Sequence, residues 1–196
     1  MEVCPFFDRW LIPFAGFRLY SAGRSYAMGT QDEMVTIVDE RNNVVGAVPR
    51  RTMRAERLTH RATYVMVFNP RGELYVHKRT PIKDVFPGYY DVAAGGVVLE
   101  GESYEEGAIR ELSEELGICG VSLRRLFDFS YQDEHIRVWG AAFFCVYDGE
   151  MVLQKEEVDS GAFLNVEEVL RLTESEPFTP DGVYVLRRYL TTKDIK

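Results

Sequence analysis

The chain has 196 residues, 46% of them hydrophobic and 13% aromatic, enough apolar material for one ordinary domain with a full core. Its formal charge of −8 leaves no broad basic footprint for a nucleic-acid polymer, although a small phosphorylated ligand is still accessible where a metal and local cations neutralise it. Cys4, Cys119 and Cys145 form no CxxC pair, so neither a disulfide framework nor a zinc site is expected, and a reducing cytoplasm fits.

Residues 1–31 carry an apolar patch (Phe6, Phe7, Trp10, Leu11, Ile12, Phe14) interrupted by Pro13, Gly16 and Arg18. The patch is too short and broken to span a bilayer, and it lacks the basic start of a secretory signal. It reads as an N-terminal extension: an arm docked on the domain or on a second copy in a homodimer, a tail, or sequence upstream of a start near Met28. Residues 32–196 form the domain.

Met34–Val38 and Val44–Val48 are strand candidates joined by the turn Asp39-Glu40-Arg41-Asn42-Asn43. Pro49 to Leu58 is basic, loop-like or briefly helical, with Arg50, Arg51, Arg54 and Arg57 read as a solvated surface. Thr63–Asn69 and Glu73–Arg79 make a second hairpin across Pro70-Arg71-Gly72, and prolines at 81 and 87 bracket a loop containing Lys83. Asp91–Leu99 is expected as a strand. Further on, Val121–Tyr131 pairs with His135–Tyr147, and Met151–Leu153 and Gly161–Leu164 are short strands. Helices are expected over Val166–Leu172, with Asn165 as cap, and roughly Pro180–Tyr189, with Thr179 before proline at the first helical position. No internal repeat or low-complexity linker divides the chain.

The most informative stretch is Gly96 to Ile118. Ser103 with Glu106 forms a capping box, and Gly117 stands where a helix ends in the left-handed conformation, which bounds a helix at Tyr104–Leu116. At about 100° per residue, Ala108, Ile109, Leu112 and Leu116 fall on one apolar stripe, while Glu111, Glu114 and Glu115 share another face. Like charges at this spacing repel, and a hard divalent cation with oxygen ligands would convert the repulsion into binding; the bland alternative is a solvated acidic face. Gly95-Gly96 in front allows a ligand close to the backbone, and a loop feeding a helix N-terminus suits phosphate oxygens.

Gly96, five residues, Glu102, seven residues, then Arg110-Glu111-Leu112-Ser113-Glu114-Glu115-Leu116-Gly117-Ile118 resembles the Nudix box of the Nudix hydrolase superfamily, with every specified position filled. The order of His60-Arg61-Ala62, Val76-His77-Lys78-Arg79, Phe86-Pro87-Gly88 and the box is similar to the isopentenyl diphosphate isomerase-like branch. The resemblance implies an α/β/α sandwich around a mixed β-sheet, with the box as a loop–helix–loop. It departs from the isomerases at Ala94 and Gly96, where they carry a cysteine and a histidine, and in lacking a Glu-x-Glu over Gln132 to Val138.

By that resemblance the activity is metal-dependent hydrolysis of a diphosphate linkage in a nucleoside diphosphate derivative or related small metabolite. Mg²⁺ or Mn²⁺ would sit on Glu111, Glu114 and Glu115, clamp phosphate oxygens and activate water. Arg110 would orient the glutamates, paired with Glu102, and the Gly95–Gly96 backbone would add contact. The general base is Glu114 or Glu115, or else Glu156 or Glu157 on a later loop. Arg79 and Lys83 are candidate phosphate ligands; Tyr131 and Trp139 stack on a base or pack in the core; His60 and His77 do not form a metal pair. Two other classes stay open: an isomerase-related prenyl-diphosphate enzyme and a Nudix-fold module that senses a nucleotide without cutting it.

Overall fold

The computed structural model describes residues 30–193, so the arm expected over 1–31 lies almost wholly outside the described residues. A short 3₁₀ turn, Thr30–Asp32, leads into β1 (Met34–Val38) and β2 (Val44–Pro49). Their turn closes because Asp39 Oδ1 accepts from the backbone N–H groups of Arg41 and Asn43. The basic stretch that follows is helical: α1 spans Arg50–Glu56 and stops at Arg57, which takes the left-handed conformation at φ 51°.

β3 (His60–Phe68) and β4 (Leu74–Arg79) form the second hairpin, with Asn69 Oδ1 accepting from the N–H groups of Arg71 and Glu73. After β5 (Tyr90–Asp91) come α2 (Tyr104–Leu116), β6 (Arg124–Gln132), β7 (Arg137–Val146), β8 (Val158–Leu164), α3 (Val166–Leu172) and α4 (Pro180–Lys193). The eight strands make one mixed sheet in the order β2-β1-β3-β4-β5, with β7 parallel to β3, β6 antiparallel to β7, and β8 antiparallel to β4.

β3 and β4 register only at Phe68 and Leu74, next to their turn. Beyond it they take different partners, β7 and β8, and separate. The segment expected as the strand Asp91–Leu99 runs along β3 and β1 through isolated bridges, Val65 to Ala94, Ala62 to Val97 and Val35 to Leu99, and is regular strand only at Tyr90–Asp91. Gly95, at φ +156°, lets this segment lie close against β3, where a Cβ would come within 2.0 Å of the Thr63 carbonyl oxygen. Met151–Leu153 is likewise not a strand: Val152 and Gln154 donate their N–H groups to the carbonyls of Leu116 and Glu115, closing the C-terminal end of α2.

Helices cover both faces. Ala108, Leu112 and Leu116 of α2 pack on Val65, Val67, Ala141 and Phe143, while Val169 of α3 and Val185, Leu186 and Tyr189 of α4 close over Tyr64, Met66, Phe68 and Phe129. This is the expected sandwich. Fully burying a side chain such as Leu112, 1% exposed, is worth about 1.5–3 kcal/mol. The capping box and the Gly117 cap of α2 are both present. The expected stripe is shifted, however: Ile109 is 46% exposed, and the buried face is completed by Tyr104, Gly107, Ser113 and Glu115. Cys145 is a free buried thiol, whereas Cys119 is disulfide-bonded, against the expectation of unpaired cysteines. Among the described residues no helix is long and apolar enough to cross a membrane.

Candidate active site

The loop from Gly95 to Glu102 and the first turns of α2 fold around one guanidinium. Arg110 donates from Nε to Glu102 Oε1 at 2.8 Å, from Nη1 to Glu111 Oε1 at 2.7 Å and Glu114 Oε2 at 3.0 Å, and from Nη2 to the Val97 carbonyl at 3.0 Å. Glu102 Oε2 also accepts the Leu99 N–H, so this carboxylate ties the loop to the helix. Although burial works against it, these carboxylates hold Arg110 charged more firmly than an ordinary guanidinium. Gly96 is required by space, since a Cβ would lie 2.5 Å from Glu111 Oε1, and its carbonyl accepts the Thr63 N–H at 2.9 Å. The structure thus brings Glu102, Arg110, Glu111, Glu114, Gly95 and Gly96 together.

Glu115 is placed differently. The expected open face of three glutamates holds for Glu114, whose side chain is 50% exposed, but Glu115 is only 3% exposed. Its Oε2 accepts the Gly95 N–H at 3.1 Å, and Lys83 Nζ lies 3.8 Å from Oε1. Burial pushes its carboxyl up to about 7, against the pull of Lys83. The sequence reading missed the inward direction because hydrophobicity alone drew the buried stripe.

Three carboxylates around Arg110 leave a local formal charge of −2, and their oxygens are the hard donors a divalent cation prefers. By charge and donor chemistry the cluster fits such an ion. Among the described residues no three acidic, histidine or cysteine side chains already converge as a ligand set, since the guanidinium stands between the carboxylates.

Glu111 and Glu114 form the rim of a cavity of about 220 Å³ that enters the gap between β3 and β4. One wall is cationic. Arg50 and Arg54 of α1 both reach Asp84, at 3.2 and 3.3 Å, and both line the cavity, against the expectation of a solvated surface. Their i, i+4 spacing was the available signal; that α1 lies over the cavity was not readable from it. Arg79 lines the cavity with Nη2 and Nε committed to the carbonyls of Val85 and Phe86, and Lys83 pairs with Glu157. Of the two later glutamates, Glu157 lines the cavity, while the Glu156 carbonyl accepts from Thr80 Oγ1. His60 lines it too, buried with Nδ1 at 3.0 Å from the Leu58 carbonyl oxygen. Neither Tyr131, which packs on Tyr184, nor the half-buried Trp139 is part of its lining.

The family model of the NUDIX domain matches residues 58–188. An uncharacterised Nudix hydrolase of Yersinia pestis is 46% identical over 159 residues, covering 81% of this chain and 86% of its own. Another from Pseudomonas aeruginosa is 42% identical over 158 residues, covering 81% and 94%. Among solved structures, the DR0079 protein of Deinococcus radiodurans superposes with a TM-score of 0.70 at 30% identity, covering 80% of this chain and 98% of that one. The NUDIX domain of Shewanella oneidensis NrtR, solved with ADP ribose, has the same fold at a TM-score of 0.56 and 15% identity, covering 67% and 86%.

Proposed function

We propose, for a chain that belongs to the Nudix family and is a Nudix hydrolase, that its reaction is hydrolysis of a diphosphate linkage in a nucleoside diphosphate derivative or related small phosphorylated metabolite, with Mg²⁺ or Mn²⁺ as cofactor. The observation that carries this reading is the Arg110 cluster, net negative and at the rim of a cavity whose wall holds Arg50 and Arg54. A divalent cation held by Glu111 and Glu114, with Glu115 beneath them, would offset phosphate charge and polarise the attacking water. Arg110 orients Glu111 and Glu114 through its hydrogen bonds, and Gly95 and Gly96 let the loop backbone approach them. Arg50 and Arg54 share Asp84, and Arg50 also faces Glu33 at 3.9 Å, so the pair meets phosphate oxygens through its guanidinium N–H donors rather than through a surplus of charge. Lys83 and Arg79 support from behind, through Glu115 and Asp91. Glu157, at the same cavity, is the candidate base outside the helix.

Family kinship to the isomerases enters only as a sequence likeness; Ala94 and Gly96 supply neither nucleophile nor ring nitrogen, so isomerisation is not the proposed chemistry. The cytoplasm is the proposed compartment, and a homodimer through the N-terminal extension the proposed assembly. The test is a panel of nucleoside diphosphate derivatives and isopentenyl diphosphate, incubated with Mg²⁺ or Mn²⁺ and followed for both phosphate release and isomer formation. Hydrolysis of a nucleoside diphosphate derivative, lost in Glu114→Gln and Glu115→Gln proteins that keep their circular dichroism, supports the reading. Wild-type turnover in both variants, isomer formation, or tight nucleotide binding without cleavage would each overturn it.

A further inference from the structure

We propose that the end of the cavity away from Arg110 is a hydrogen-bond-accepting floor that selects substrates whose non-phosphate end carries amino or hydroxyl donors, with Asp181 as the specificity-determining residue. This rests on the cavity being a diphosphate hydrolase site and states what the other end of that substrate must present.

Asp181 stands in the first turn of α4, and its side chain reaches the cavity beneath β3. Its Oδ2 accepts from the Tyr64 hydroxyl at 2.8 Å, but Oδ1 is sealed from solvent with no hydrogen-bond partner among the described residues. Thr179, 2% exposed, also lines the cavity, with its hydroxyl turned to the Asp91 carboxylate. Asp91, 8% exposed, is the second carboxylate of the floor. Its Oδ1 is occupied by the Val92 and Ala93 N–H groups, and its Oδ2 faces Arg79 Nη1 at 3.6 Å. Gly182 permits this convergence, since a Cβ there would lie 2.6 Å from Asp91 Oδ1 and 2.5 Å from Thr179 Oγ1.

Only Asp91 pairs with the Arg79 guanidinium, which already spends two of its nitrogens on the carbonyls of Val85 and Phe86, so Asp181 gains no direct cation from it. A buried acceptor with no donor is costly, and native proteins rarely keep one unless a ligand or water completes it. Burial and the nearby Asp91 also push the Asp181 carboxyl upward, the response of a group short of donors. A ligand amino or hydroxyl group placed here removes that cost. An apolar prenyl chain would seal the same oxygens without relieving them. The two ends of the cavity thus ask for opposite chemistry in one molecule: phosphate at the rim and cationic wall, donors at the floor.

The experiment compares matched substrates with identical phosphates. Cytidine against uridine and adenosine against inosine derivatives exchange an amino group for a carbonyl; ribose against deoxyribose removes one hydroxyl; isopentenyl diphosphate offers neither. The expected result is a kcat/KM at least roughly tenfold higher for the donor-bearing member of one pair series, a ratio that Asp181→Asn brings close to one. Which series shows it distinguishes base amine from sugar hydroxyl. Equal kcat/KM across all pairs in the wild type, or an unchanged ratio in a folded Asp181→Asn protein, would overturn the proposal. Should the wild type hydrolyse no diphosphate, the hydrolase reading fails separately, and the floor is read by thermal shift with the parent nucleosides. A rise in melting temperature with the donor-bearing nucleoside, absent in Asp181→Asn, supports it; identical shifts within every pair overturn it.

Discussion

The rim and the floor of the cavity are both built from carboxylates, yet they solve opposite problems. At the rim, Glu102, Glu111 and Glu114 gather on one guanidinium that comes from the same helix as two of them, and Glu114 remains half exposed. At the floor, Asp91 and Asp181 arrive from distant parts of the chain; Asp91 is buried, and the Asp181 Oδ1 is out of solvent without a donor among the described residues. Under the two proposals above, the same functional group would serve as an ion site where surplus charge meets water, and as a recognition site where an acceptor lacks a donor. Surroundings, not residue type, divide the two roles.

Removing divalent metal breaks the comparison most sharply. Chelation with EDTA is expected to abolish phosphate release while circular dichroism stays unchanged, because the buried clusters contain none of the rim carboxylates; activity surviving chelation would refute the ionic role. Among single substitutions, Glu114→Gln is expected to lower kcat by about 10²-fold or more. Arg110→Met strands three carboxylates around an apolar side chain and should cost about 3 kcal/mol in urea-midpoint stability as well as activity.

The pH dependence of stability probes the buried interior between the two ends. Burial, with Arg54 beside one ring and Arg79 beside the other, holds His60 and His77 down at about 3, below the ordinary value near 6.5. Their folded values are depressed, so the unfolded chain binds more protons in that window. The stability each neutral ring contributes is present above pH 6.5 and lost as pH falls toward 3. Asp181, raised to about 6 chiefly by burial, runs the other way: its contribution is present below pH 3.8 and lost as pH rises through 6. Relative to wild type, His77→Gln should flatten the acid loss of stability by up to about 1.4 kcal/mol per pH unit below pH 6.5, measured as urea midpoints from pH 7 to 4.5. The smallest effect is expected from Arg54→Ala, which removes one of the two guanidiniums of α1 that line the cavity and should raise KM about tenfold with kcat nearly kept, as read from initial rates.

Legibility in the sequence followed distance along the chain. The hairpin turns and both caps of α2 each lie within a few residues, and those signals were readable; the Glu102–Arg110 pairing was implied by the family resemblance. Ile109 and Glu115 show where local reading failed. A helical wheel ranks positions by hydrophobicity, but the face α2 buries is chosen by the sheet and by Lys83 from a separate loop. Residues 91–99 look like a strand by composition; they lose regularity because β3 and β4 part company, which depends on β7 and β8 further down the chain.

By itself, then, the amino-acid order determined the helix, its termini, its carboxylate cluster and the family likeness, since each is written in contiguous residues through caps and i, i+4 spacing. Only the tertiary structure decided that α1 forms a cationic wall, that Glu115 turns inward, and that Asp91 and Asp181 meet at one floor. Those are long-range outcomes: two strands diverge, a cavity opens between them, and whatever side chains border the gap acquire burial, and with it their chemistry.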